Sequence, residues 1–378
     1  MLELLSWARE RQGEMEALLF ELVEIESPSD DPAGVARLAE RLIRELQPLG
    51  LDAAAVPVAG GGPILRATSG GTAAPVMLLG HLDTVWPLGT LASRPLRREG
   101  DRLYGPGTFD MKGGLVVALF ALRALRQRRQ PPPVTVFFTP LEEVGCDPYR
   151  ALMEGDMRAS AAVLDFEPAW PGGAVKTERK GSGSVLLRAR GRAAHAGADF
   201  EKGANAILEL ARRTLEASAL TDVVRGITVN VGVVRGGVRP NVIPDLAEAE
   251  IDFRVRTVED GRHIERLLRA MRPDDPRVTL EVEGGLGYPP LERTPQVLAV
   301  YAQARAVAAE MGMPLGEIST GGASEASFAA ALGKPTLDGL GPDGDGAHAE
   351  HEHVLVSSMP PRVALAAGLI ARLAGTPA

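Results

Sequence analysis

Short apolar runs bounded by glycine and proline alternate with stretches in which apolar residues recur every three or four positions, and this pattern organises both ends of the chain. Leu4, Leu5, Met15, Leu18, Leu19 and Leu22 give a helical period from about 3 to 25. SPSDDPAG (27–34) interrupts it, with Asp31 and Pro32 suited to starting the next helix. Val35, Leu38, Leu42, Ile43 and Leu46 continue that helix until Pro48 and Gly50 close it. Val76–Leu79 reads as a buried strand ended by Gly80, and PPPVTVFFTP (131–140) and AAVLDF (161–166) hold two more. An apolar helix starting at Gly113 ends in the basic tail RALRQRR, where cations suit a helix C-terminus. Strand, helix, strand repeated in this way predicts an α/β fold with a mostly parallel sheet.

The middle of the chain changes character. SVLLRARG (184–191), GITVNVGVV (226–234) and AEAEIDFRVR (247–256) alternate apolar and polar residues, as does VTLEVEGG (278–285). Helical stretches lie at about 204–220 and 261–271. The order β-α-β-β-α-β predicts a ferredoxin-like two-layer module with one open sheet face. From Thr294 the α/β pattern resumes, with a helix to Met311, the strand GEIST, a helix from Glu325 and a last helix over 358–373. The expected domains are therefore an α/β domain in two parts, 1–177 and 288–378, with the module 178–287 inserted between them.

Composition narrows the function. The 378 residues suffice for two domains, and 45 % hydrophobic with 24 % charged residues is ordinary for a globular chain with a real core. A net charge of -8 disfavours a general nucleic-acid binder, which normally carries a basic face. One cysteine, Cys146, excludes an internal disulfide and reads as a small buried hydrophobe. The N-terminus lacks the basic start and continuous apolar core of a signal peptide. The longest uncharged apolar run, Gly113–Leu122, is far below the roughly 20 residues that span a bilayer. The expectation is a cytoplasmic enzyme with neither membrane nor nucleic acid as partner.

Acidic and imidazole side chains collect at or just after the predicted strand ends. They are His81 and Asp83 in GHLDTVWP, Asp110 in GTFDMKGG, Glu142 and Glu143 in TPLEEVG, and Glu167 in LDFEP, with His348 in GDGAHAEHEH near the C-terminus. Ligands of open α/β sheets gather beyond the carboxyl ends of strands. Singly, each cluster has a plain alternative: a solvated turn at Glu142–Glu143, a helix N-cap at Asp110, a polar loop at His348. Together, two histidines and three carboxylates match what a pair of divalent ions needs, and one carboxylate can bridge both ions. A spare glutamate beside a ligand glutamate is a natural general base.

These stretches, with YGPG (104–107), GRAAHAG (191–197), NVIP (241–244) and TGGASE (320–325), occur in an order that resembles the co-catalytic zinc exopeptidases and amidohydrolases. That family includes glutamate carboxypeptidase, acetylornithine deacetylase and succinyl-diaminopimelate desuccinylase, and LDFEPAW and the C-terminal half look closest to the glutamate carboxypeptidase branch. The resemblance implies two Zn2+ per subunit, although Co2+ and Mn2+ can also be argued. His81 and Glu167 would hold one ion, Glu143 and His348 the other, and Asp110 would bridge them. Asp83 would orient His81, and Glu142 would take a proton from the attacking water and return it to the leaving amine. His195 would reach into the site of the partner subunit and stabilise the oxyanion, which makes the inserted module a dimerisation and lid domain of a homodimer. Asn241 and Arg254, with Arg179 as a weaker candidate, would hold the substrate carboxylate, and Ser324 would donate a hydrogen bond.

Some positions depart from the pattern. Leu141 and Glu325 stand where the family often has Asp, and Glu350 and His351 where it often has Pro-Asn. Asp165 rivals Glu167 on strand alternation alone, and no basic residue lies near Gly284–Tyr288 to fix a glutamate leaving group. The implied activity is hydrolysis of the amide of an N-acyl or aminoacyl amino acid or short peptide, releasing a free amino acid. An acetylornithine-type deacylase and a general dipeptidase are the alternatives, with a catalytically silent metabolite-binding homologue as the reading of a different class.

Overall fold

The computed structural model of the protein describes residues 1–127 and 131–375. The chain divides into two compact units, one made of Met1–Thr177, Arg293–Ser319 and Leu332–Ala378, the other of Glu178–Glu292 and Thr320–Ala331.

The first unit is built on a six-stranded sheet, in the order Asp52–Val56, Ile64–Thr68, Val134–Thr139, Val76–His81, Ala162–Asp165, Thr336–Leu337. The last three pairings are parallel and the first two antiparallel, so the parallel part is the half that carries the strand ends of interest. Val76–His81 and Val134–Thr139 are buried along their whole length, as expected of strands covered on both faces. The helix Gly113–Arg126 buries nearly every residue and packs against the C-terminal helix Met359–Leu373. Pro32–Leu46 starts as its sequence predicts, with the Asp31 carboxylate accepting from Ala33 N and Pro32 in the first turn. The N-terminal helical stretch differs from expectation, because it is two helices, Leu2–Glu10 and Gln12–Glu24. At Arg11 the backbone leaves helical geometry, and the guanidinium turns back to donate to the Trp7 carbonyl at 3.0 Å, closing the first helix. Arg128 and Arg129 of the basic tail lie outside the described residues.

The second unit has a four-stranded antiparallel sheet, in the order Thr228–Gly236, Leu246–Val255, Gly181–Arg190, Thr279–Tyr288. Its chain order is β-α-β-β-α-β, with helices Ala206–Ser218 and Val258–Ala270 capped by Asn205 and Thr257. Val185, Leu187, Ala189, Ala249, Ile251 and Phe253 alternate inward and form its core with both helices. One side of the alternation is buried and the other polar, which is how a sheet covered on one face reads.

Candidate metal centre

In the first unit the strand ends bring the predicted acids and imidazoles together. His81 closes the central strand, and its Nε2 lies 3.2 Å from Asp110 Oδ1 and 3.4 Å from Glu167 Oε1. His348 Nε2 lies 3.3 Å from Asp110 Oδ2 and 3.1 Å from Glu143 Oε2. Asp110 therefore turns one oxygen to each histidine. The ligand atoms within each set, His81/Asp110/Glu167 and Asp110/Glu143/His348, lie within 4.8 Å of one another. Asp165, the rival to Glu167, ends its strand buried and belongs to neither set.

The chemistry of these donors calls for a cation. His81 Nδ1 lies 2.9 Å from the Asp83 carbonyl oxygen, which fixes a ring proton there and turns Nε2 towards two carboxylates. Burial disfavours a charged imidazole, but Asp110, Asp83 and Glu167 outweigh it and hold the His81 pKa well above the ordinary value. Hydrogen bonds donated to the carboxylates of Asp110 and Glu143 push His348 up to about 10. Burial opposes the charge on Asp110, yet the imidazoles of His348 and His81 keep its carboxyl well below the usual range. Burial pushes Glu143 up, against the pull of His348. Nitrogen and carboxylate oxygen in this number and spacing fit a pair of divalent ions, which would displace the imidazole protons on binding.

Asp83 does more than face His81. Its carboxylate is 3.5 Å from the ring nitrogen, and it accepts from Glu142 N at 3.1 Å, Glu143 N at 3.2 Å and Ser29 Oγ at 2.7 Å. One buried carboxylate thus anchors two consecutive glutamates, of which one belongs to a ligand set and the other does not. His348 has φ of 61°, in the left-handed region that costs a non-glycine residue about 1 kcal/mol or more. Such strain in a loop is what a fixed functional side chain tends to carry.

Close packing seats the Glu167 segment. A Cβ on Gly114 would meet the Phe166 carbonyl oxygen at 1.9 Å, so only glycine lets the helix from Gly113 approach that strand end. Gly114→Ala is expected to cost about 1–3 kcal/mol, the usual penalty of overpacking, and to displace Glu167. Thermal denaturation checks the first effect, and metal binding at the His81 set checks the second.

Three residues of this region escaped sequence reasoning. Lys112 is buried and its Nζ donates to the Ile25 carbonyl at 2.8 Å, at the C-terminus of the helix Gln12–Glu24. Burial lowers its pKa to about 7. Arg362 donates to the carbonyls of Gly341, Gly173 and Gly339, and Gly341 N in turn donates to the Glu167 carbonyl at 2.9 Å. Glu352 takes hydrogen bonds from the segment carrying Asp110. Nothing local in the sequence marks these three residues.

In the second unit, the strand Ala194–His195 pairs with Val242–Ile243, and Ala196 N donates to the Asn241 carbonyl at 3.0 Å, so His195 and Asn241 are neighbours. His195 is exposed, and its Nδ1 accepts from Gly197 N at 3.1 Å and Ala198 N at 3.0 Å. The ring proton therefore sits on Nε2, making that atom a donor. Arg254 is half-exposed, with Nε and Nη2 each 3.0 Å from the Asp252 carboxylate. Arg179 is only 4 % exposed, and its Nη1 donates to the carbonyls of Gly322 and Ala323. It braces the TGGAS turn, in which Ser324 is fully buried.

Residues 77–372 match the model of peptidase family M20/M25/M40. Carboxypeptidase G2 of Pseudomonas sp. (strain RS-16) is 33 % identical over 373 residues, which cover 96 % of this chain and 90 % of that one. The chain belongs to peptidase family M20/M25/M40. It is a metallohydrolase of that family, and the family implies bound metal. Acetylornithine deacetylase of Myxococcus xanthus is 31 % identical over 228 residues, 56 % of this chain and 57 % of its own. Among solved structures, an aminopeptidase from Bacillus cereus has a TM-score of 0.75 at 22 % identity, covering 96 % of this chain and 99 % of that one, a likeness of fold. No described helix is long and apolar enough to cross a membrane.

Proposed function

We propose that the protein is a di-zinc amidase that releases a free amino acid from an N-acyl or aminoacyl substrate, with a glutamate carboxypeptidase-like preference. The observation that carries this reading is the Asp110 carboxylate, with one oxygen turned to each of two histidines and a further carboxylate beside each. His81, Asp110 and Glu167 would hold one ion and Asp110, Glu143 and His348 the other. The ions would polarise the scissile carbonyl and make a water nucleophilic at neutral pH. Glu142, anchored through its N–H on Asp83, is the base that takes a proton and later hands it to the leaving amine. His195, reaching into the site of the partner subunit, would supply an Nε2–H donor for the developing oxyanion. Arg254, oriented by the Asp252 carboxylate on its Nε–Nη2 edge, and Asn241 would bind the carboxylate of the released amino acid, while Arg179 acts by holding the TGGAS turn.

The second unit would also be the homodimer interface, because the open edge of an alternating sheet can pair across a two-fold. A cytoplasmic location is part of this reading. Val144 and Trp170, close in sequence to Glu143 and Glu167, are 71 % and 45 % exposed and offer apolar surface for an acyl group. A panel of acetyl, aromatic acyl and aminoacyl derivatives of glutamate, ornithine and neutral amino acids tests the reading, with free and blocked N-termini. Cleavage of blocked acyl-glutamates ahead of free dipeptides is expected. Cleavage confined to dipeptides with a free amino group would contradict it and favour a dipeptidase.

A further inference from the structure

The carboxylate of Glu352 is 1 % exposed and gathers four N–H groups. Oε1 accepts from Phe109 N at 2.9 Å and Asp110 N at 3.0 Å, and Oε2 from Gly107 N at 2.9 Å and Trp86 Nε1 at 2.6 Å. Three donors belong to the segment that presents Asp110, and the fourth to the loop that follows Asp83. Glu352 itself lies four residues after His348, and its carbonyl accepts from Gly105 N at 3.2 Å. One side chain therefore ties together the three segments that supply Asp83, Asp110 and His348.

We propose that Glu352 is a positioning residue of the metal centre, fixing the direction of Asp110, the one carboxylate shared by both ligand sets, and locking it to the loop of His348. This rests on the reading that those two sets hold metal. The geometry requires an acceptor at both ends of the side chain, because each oxygen takes two donors. Glutamine would keep one acceptor end and turn an NH2 towards two N–H groups, leaving buried donors unsatisfied, each at the cost of its lost solvation. Aspartate would keep both acceptor oxygens but withdraw them by one methylene. The effect passes through Asp110, so both metal sites should weaken together.

The test is calorimetric titration of the metal-free protein with zinc, for wild type, Glu352→Gln and Glu352→Asp, with circular dichroism confirming the fold. Glu352→Gln is expected to weaken binding at both sites by about 10- to 100-fold, the usual effect of removing an outer hydrogen-bond partner of a ligand, and Glu352→Asp to recover part of it. Wild-type affinity at both sites in folded Glu352→Gln would overturn the proposal, as would weakening of the Glu143/His348 site alone. If Glu352→Gln does not fold, amide exchange in the metal-free wild type decides. Protection of Gly107, Phe109 and Asp110 comparable to the central strand supports the proposal, and exchange as fast as in an open loop overturns it. A wild type that binds no zinc defeats the metal-site reading itself, an outcome distinct from equal binding by wild type and variant.

Discussion

Glu142→Gln is expected to bind metal like the wild type and to hydrolyse substrate about 10²- to 10⁴-fold more slowly, the contribution typical of a general base. The expectation follows from how Asp83 treats the two adjacent glutamates. Its two oxygens hold Glu142 N and Glu143 N at 3.1 and 3.2 Å, so both backbones are fixed alike. Only the Glu143 side chain joins a ligand set, with its oxygens 3.1 and 3.2 Å from His348 Nε2. Replacing the Glu142 carboxylate by an amide leaves the backbone anchor and both ligand sets in place and removes the group that can accept a proton. Steady-state kcat beside metal content for the same preparation checks this. Hydrolysis within a few-fold of wild type would give the base role to another group.

Asp110→Ala is expected to strip both ions, whereas His81→Ala should affect chiefly one. Asp110 is the residue common to the two sets, and its carboxylate faces both imidazoles. Without it, Glu167 and His81 form a two-ligand site, as do Glu143 and His348, too few for a tetrahedral ion that expects three protein ligands and one open position. Metal analysis after gel filtration reads the difference directly. Retention of one tightly bound ion per chain in Asp110→Ala would mean that the carboxylate is terminal to one ion and does not bridge.

The two variants separate roles that a single activity assay would merge, because one removes chemistry and the other removes the ions. They also depend on features of unequal legibility. The central strands were readable because parallel strands buried on both faces leave continuous apolar runs, as in VMLLG and VTVFF. The acids and histidines were readable because strand ends collect ligands, so position along the chain stood in for position in space. That substitution fails where two segments meet from afar. Glu352 and Gly107 are 245 residues apart in sequence, and nothing local to AEHEH singles out Glu352 from Glu350 as the buried member. Strand alternation likewise could not separate Asp165 from Glu167, since both point the same way until the strand ends between them. For Arg179, the family resemblance suggested a weaker candidate for the substrate carboxylate, and its burial against two loop carbonyls is a property of packing that no single segment encodes.

Whether two ions held by these residues support amide hydrolysis is decided by measuring metal content and hydrolysis of an acyl-glutamate together, before chelation, after it and after zinc is added back. About two ions per chain are expected, with loss of hydrolysis in step with their removal and recovery as they return. Undiminished hydrolysis by a chain stripped of metal, or failure to take up zinc at all, would contradict that expectation.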